Sequence, residues 1–248
     1  MGLGNASGER VTTTVTGIPI LMYHKIARVD RRSLTAGHYV SPGLFSRQMR
    51  LVKALGFETV ALTRLFDAQL PKRPLVITFD DGYENFYRNA LSLLHQFGMI
   101  STVFLVANQL GGTNAWDVAL GDVEERLMSI VQIKDAAAKG TDFGSHTMDH
   151  AHLATCTAAE ARHQIFGSKR KLEANLNLPI NTFCYPYGEM TEAVVNLVEE
   201  AGYRCACTTG KGIDTSEASR YRLPRVNIRS DTWSPVFLLK LLRAMRNE

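Results

Sequence analysis

Short apolar runs alternate with longer segments of helical periodicity along almost the whole chain. The runs IPILMY (18–23), ETVAL (58–62), PLVITF (74–79), STVFLV (101–106), DFGSH (142–146), NTFCY (181–185), RCACTT (204–209) and PRVNI (224–228) have strand length and are mostly rich in β-branched or aromatic residues. Apolar positions recurring every three or four residues predict helices over 43–55, 63–69, 85–97, 122–139, 157–176, 191–201 and 234–246. Ser41-Pro42 and the CTAAE segment at 156–160 supply helix starts, and Gly56, Gly98, Gly140 and Gly202 sit where helices should end. A helix–Gly–strand junction therefore recurs in ALGFETV, QFGMISTV, AKGTDFG and EAGYRCA. Strands alternating with helices imply a mainly parallel sheet, and eight strand candidates imply a closed or nearly closed (β/α) barrel. An open doubly wound sheet is the competing arrangement, but no Gly-rich phosphate loop follows any strand.

Composition narrows the picture only a little. The 248 residues suffice for one large domain, and the net charge of +4 is mild. No Lys/Arg run interleaved with aromatics points to nucleic acid. Cys156, Cys184, Cys205 and Cys207 are too few and too irregularly spaced for a disulfide scaffold, and alternation places Cys205 and Cys207 on one strand face as buried thiols. Residues 1–16 read as a flexible leader without a secretory pattern, and residues 17–248 as a single domain; the compartment stays open, with a cytoplasmic or membrane-associated chain as the sequence is written and export as the other reading. Phe237, Leu238, Leu241, Leu242 and Met245 form an apolar stripe opposite Lys240, Arg243 and Arg246. Such a terminal helix packs on its own domain in the first reading and lies on anionic lipid in the second.

Chemistry collects where the strands end. His24 follows ILMY, Asp80 and Asp81 follow VITF, His146 follows DFGS, and Tyr185-Pro186-Tyr187-Gly188 follows NTFC, while Arg225 lies on the last strand. In a parallel barrel these positions share one rim. Two adjacent carboxylates at the end of a buried strand repel each other unless something compensates. A polar turn would explain them simply; a metal ion neutralising one acid and freeing the other for proton transfer would explain them chemically. In SHTMDHAHL, His146 and His150 lie four apart and share a face if the strand turns into a helix at Thr147. Two histidines and a carboxylate form a catalytic zinc set, and equally the facial triad of ferrous oxygenases. His152 is expected to point elsewhere, and surface or core roles suffice for His38, His95 and His163.

Together TFDDGYENF, SHTMDHAHL and FCYPYGEMTEAVVNLVEEAGYRCACTT resemble the polysaccharide deacetylase family, carbohydrate esterase family 4, with its NodB homology domain. The resemblance runs from about His24 to Ile228. It implies a distorted (β/α) barrel of about seven or eight mainly parallel strands, a divalent metal (zinc, or Co2+ or Ni2+), and removal of an N-acetyl or related acyl group from an amino sugar in a glycan or glycoconjugate. By the same resemblance Asp80 is the general base, Asp81, His146 and His150 are the metal ligands, and the backbone amide of Tyr187 helps hold the oxyanion. The chain departs from the common pattern: Cys184 stands where an arginine is usual, and neither an Asp-x-x-Asp-Trp nor a C-terminal Leu-x-His segment is present. It is similar instead to the permuted poly-N-acetylglucosamine deacetylases, in which an N-terminal Tyr-His supplies the acid, here Tyr23-His24. With Cys184 too short and uncharged to orient the base, Arg225 is expected to pair with Asp80, with Arg222 as its competitor. A glycan-binding relative without activity and a ferrous oxygenase are the alternative functions.

Overall fold

A computed structural model describes residues 17–246 of the chain; the expected leader at 1–16 lies outside the described residues. Eight parallel-paired strands form one curled sheet: β1 (Ile20–Tyr23), β2 (Glu58–Thr59), β3 (Pro74–Phe79), β4 (Ser101–Leu105), β5 (Thr141–Ser145), β6 (Thr182–Cys184), β7 (Cys205–Cys207) and β8 (Val226–Asn227). Their order is β7-β6-β5-β4-β3-β1-β8, with β2 pairing on β3. Every residue of β1 and β3 is buried, as expected of parallel strands covered on both faces. The outer layer comprises α1 (Pro42–Ala54), α2 (Glu84–Asn89), α3 (Leu91–Phe97), α4 (Ala115–Val118), α5 (Ile130–Ala138), α6 (Ala158–Leu176), α7 (Glu192–Glu200) and α8 (Ser234–Arg246). This is the distorted (β/α) barrel expected from the alternation of patterns, and it differs from the antiparallel double-stranded β-helix of ferrous oxygenases.

One segment joins the two ends of the sheet. Leu223 pairs with Cys207, and Leu223 N–H and Thr208 N–H donate to Ala206 O and Leu223 O at 2.9 Å each, so this stretch continues the sheet beyond β7. Three and four residues later, Val226 and Asn227 pair with Leu21 and Met22 of β1. Arg225 lies between these two pairings, at the closure itself.

Helix boundaries follow local chemistry. The 157–176 helix begins at a capping box of Thr157 and Glu160. The helix expected over 122–139 starts only at Ile130, because Ser129 and Gln132 form another capping box and residues 126 and 127 are drawn into bridges with Thr113 and Tyr83. The expected 85–97 helix breaks at Ala90, where α2 is pinned to the exit of β1: Asn85 Oδ1 accepts from Ile26 N–H at 2.8 Å and Asn89 Nδ2 donates to Ile26 O at 2.7 Å. Only Leu62–Arg64 of the 63–69 helix is helical, as a 3-10 turn. At the four helix–Gly–strand junctions the glycines adopt positive φ, which other residues adopt at a cost.

The buried apolar residues form two clusters, a large one that includes Tyr23, Phe45 and Phe79 and a smaller one that includes Ile20, Val76 and Phe104. Tyr23 stacks on Phe79 at 5.4 Å between ring centroids and meets Phe45 of α1 edge-on at 5.3 Å. Phe45→Ala would cost about 3–5 kcal/mol by leaving a cavity under β1 and β3. Phe237 and Leu241 of α8 are fully buried and the helix packs on α1. Two residues of the apolar stripe thus turn inward, Leu238 is half-buried and Leu242 is exposed; no described helix is long and apolar enough to cross a membrane, and the lipid-contact reading gains no support.

Candidate active site and metal centre

Strand register places the polar residues. Tyr23 pairs with Phe79, so His24 and Asp80 leave the sheet side by side, with Asp80 N–H donating to Tyr23 O at 3.0 Å. On the other side β4 and β5 align Leu105 with Ser145, and His146 N–H donates to Leu105 O at 2.8 Å. Ser145 in turn pairs with Phe183, bringing the Tyr185–Gly188 turn to the same rim. Together with Trp116 and Asp117, these residues line a cavity of about 340 Å3.

Asp81, His146 and His150 bring their donor atoms within 4.8 Å of one another. Each histidine Nε2 lies 3.4 Å from Asp81 Oδ1, which is buried and has no hydrogen-bond partner among the described residues. His146 Nδ1 lies 2.7 Å from Cys184 O, and the carbonyl can only accept. This fixes the proton on Nδ1 and leaves the Nε2 lone pair facing the carboxylate. An unsatisfied carboxylate oxygen and two imidazole nitrogens converging on one point are a donor set that fits a divalent cation.

The spacing of the two histidines is achieved differently from the expectation. Residues 147–149 form a turn, with left-handed backbone at Thr147 (φ 67°) and His150 (φ 60°), rather than the first turn of a helix. Asp81 (φ 72°) and Tyr187 (φ 58°) are left-handed as well. Four of the five described non-glycine residues with positive φ thus lie at this rim, the fifth being the helix cap Asn177.

Asp80 is held by Arg225, whose Nη1 and Nη2 reach Oδ1 and Oδ2 at 2.7 Å each. The guanidinium is itself fixed by Thr208 O at 2.8 Å, Thr78 Oγ1 at 3.0 Å and Cys184 Sγ at 3.1 Å. Burial alone would push the Asp80 carboxyl up; Arg225 outweighs it and holds the pKa below the ordinary carboxylate value. The competitor Arg222 pairs instead with Glu192 at 2.5 Å on the outside. His24 Nε2 lies 3.8 Å from Asp80 Oδ2. Burial and then His38 lower the His24 pKa to about 3, against the opposing pull of Asp80 and Asp81.

Three participants at this rim were not legible in the sequence. His38, expected to be a surface or core residue, stacks on His24 at 4.0 Å between ring centroids. Trp116 stacks on His150 at 4.6 Å, and His152 stacks flat on Tyr187 at 3.9 Å while its Nδ1 meets Glu189 at 3.0 Å. Buried Lys25, immediately after His24, sits between the Tyr39 and Tyr83 rings and donates to Thr35 Oγ1 at 3.0 Å; Thr35 donates to Asp122 Oδ2 at 2.7 Å. This chain of bonds ties the His38 loop to the segment after α4. Only Lys25, beside the Tyr-His pair, offered a sequence signal.

The pattern of the polysaccharide deacetylase family matches residues 67–206. A poly-β-1,6-N-acetyl-D-glucosamine N-deacetylase of Staphylococcus epidermidis is 26% identical over 236 residues, spanning 86% of this chain and 79% of that protein. A polysaccharide deacetylase from Bacillus cereus superposes with a TM-score of 0.77 at 26% identity, over 91% of this chain and 69% of that one. The fold is also that of the Streptococcus pyogenes deacetylase PplD, solved with acetate, with a TM-score of 0.77, 24% identity, and 90% and 97% of the two chains covered.

Proposed function

The chain belongs to the polysaccharide deacetylase family, and from that membership we propose that it is a zinc-dependent hydrolase removing N-acetyl groups from the amino-sugar units of a glycan. The observation that carries this reading is the convergence of Asp81, His146 and His150 beside a separately held carboxylate, Asp80, in one cavity.

Asp81, His146 and His150 would hold the ion, and two nitrogens with one oxygen suit zinc among the common divalent metals. When bound, the ion supplies Lewis acidity to the amide carbonyl and acidifies water. Asp80, kept ionised by Arg225, takes a proton from the attacking water. The departing amine needs a proton in return. His24 rests neutral, so this proton is the one Asp80 has just received rather than one stored on the imidazole. At 3.8 Å, Asp80 Oδ2 and His24 Nε2 need only a small movement to form the hydrogen bond that passes it on. The Tyr187 backbone amide is assigned to the developing oxyanion, and the Tyr187 and Trp116 rings, packed on His152 and His150, wall the acetyl group from water.

The test is acetate release from N-acetylglucosamine oligomers by the zinc-loaded protein, before and after chelation. Release that stops on chelation and returns with zinc is expected. Oligomer binding without any acetate release would instead make the chain a glycan-binding relative.

A further inference from the structure

Beside the catalytic cavity lies a larger one of about 680 Å3. Lys211, Arg225, Arg229, Lys240 and Arg243 line it, the charge of Arg225 being met by Asp80 from the other side, and no carboxylate is among the described residues of its wall. Asn227 of β8 lines both cavities and so forms the partition between them. Its side-chain Oδ1 is buried and has no hydrogen-bond partner among the described residues, while its backbone carbonyl accepts from Lys240 Nζ at 2.5 Å. Lys240 Nζ also lies 3.4 Å from Thr232 Oγ1. One cation is thereby fixed directly behind the partition.

The other cations share its field. Burial lowers the Lys240 pKa, nearby Asp231 opposes this, and Arg229 and Lys211 lower it further. Arg229 lies over Gly37, where a Cβ would come within 2.1 Å of Nη2, and Ser230 N–H donates to Gly37 O at 3.0 Å. The absence of a side chain at Gly37 lets the guanidinium settle against the loop that carries His38. Apart from Arg225, four positive side chains around one concavity repel each other, and a bound anion would offset that repulsion.

The geometry points to a subsite for an anionic substituent, a phosphate or a carboxylate, borne by a sugar unit adjacent to the one that is deacetylated. The substrate is then an acidic glycan; this rests on the deacetylase reading above and names its substrate class. The sugar chain crosses at Asn227, and the cations receive the charge beyond it. An anionic lipid surface is the rival occupant, since Trp233, Leu239 and Leu242 are exposed nearby. A concave site that shares a wall with the catalytic cavity fits a neighbouring sugar better than a flat surface.

The experiment uses zinc-loaded protein, with calorimetric binding and acetate release measured in parallel. The probes are a neutral N-acetylglucosamine tetramer and tetramers bearing one phosphate ester or one lactyl carboxylate. At low ionic strength at least one acidic tetramer should bind about tenfold tighter, an effect equivalent to about 1.4 kcal/mol. Roughly 0.5 M salt should erase most of that preference. The exposed pair Lys211→Gln and Arg243→Gln should remove the preference while leaving acetate release from the neutral tetramer unchanged. Equal binding of all three tetramers by a protein that releases acetate would overturn the subsite. So would partition onto phosphatidylglycerol vesicles that the double variant abolishes, with no preference among tetramers. A retained acidic preference with no acetate released from any tetramer would overturn the deacetylase reading instead and leave the subsite standing.

Discussion

Arg225 grips Asp80 with both ends of its guanidinium, Nη1 to Oδ1 and Nη2 to Oδ2 at 2.7 Å, and neither residue is more than 2% exposed. Two-pronged pairing of this kind is the strongest form of carboxylate–cation contact, and it comes from the segment that joins the ends of the sheet. The Cys184 thiol lies 3.1 Å from Nη2 and completes the surroundings of the guanidinium.

Arg225→Met should move the acidic limb of the pH–rate profile upward. The base must be ionised to act, so activity falls as pH drops through the Asp80 pKa. Arg225 holds that pKa low, and without it burial pushes it up. A shift of about one unit or more in the acidic limb of kcat/KM, with zinc content unchanged, is expected. An unmoved limb would show that the pair is only structural. Losing one partner of a buried pair also costs about 3–5 kcal/mol, so Arg225→Lys, which keeps the charge, serves as the stabler companion.

The two neighbouring carboxylates should separate cleanly. Asp80→Asn is expected to retain zinc and lose about a hundredfold or more in rate. Asp81→Asn, His146→Ala and His150→Ala should each lower bound zinc, measured by elemental analysis. Equal metal loss in Asp80→Asn and Asp81→Asn would mean that the roles are wrongly divided.

His24→Ala should spare zinc and slow amide hydrolysis far more than hydrolysis of aryl acetates, whose leaving groups need no proton. His38 should act through His24. Replacing His38 by Gln removes one of the three influences (burial, His38 and Arg225) that lower the His24 pKa to about 3, so its ring titration, followed by NMR, should move upward. A His24 titration unaffected by the change would leave the stacked pair without consequence.

Phe237→Ala should destabilise the fold by about 3–5 kcal/mol in denaturant titrations, because the residue is fully buried beneath α8. If the helix served lipid instead, the same change would weaken vesicle binding and leave stability nearly unaltered.

The strands were legible because parallel strands buried on both faces read as unbroken apolar runs; PLVITF coincides with β3 from Pro74 to Phe79. Register then carried Asp80, His24 and His146 to one rim, so strand-end residues could be read from order alone. The site's remaining parts lay beyond that logic. His38, Trp116 and His152 sit in loops, and a ring-on-ring contact between residues far apart in sequence leaves no periodic trace. The conformation at Thr147 was not legible because a four-residue histidine spacing fits a helix and a turn alike, and only the backbone angles distinguish them.

Those angles also bear on how this protein can be altered. Asp81, Thr147, His150 and Tyr187 hold a left-handed backbone that costs a non-glycine residue about 1 kcal/mol or more, with β-branched Thr147 the least suited. The surrounding fold imposes these conformations, and the cavity depends on the side chains that result. Directed evolution scored on heat resistance or soluble yield alone is therefore expected to accumulate glycine at this rim, most readily at Thr147 and His150, and to deliver hardier molecules stripped of the His150 imidazole that the proposed metal site needs. Keeping activity in the screen from its first round would hold both properties together.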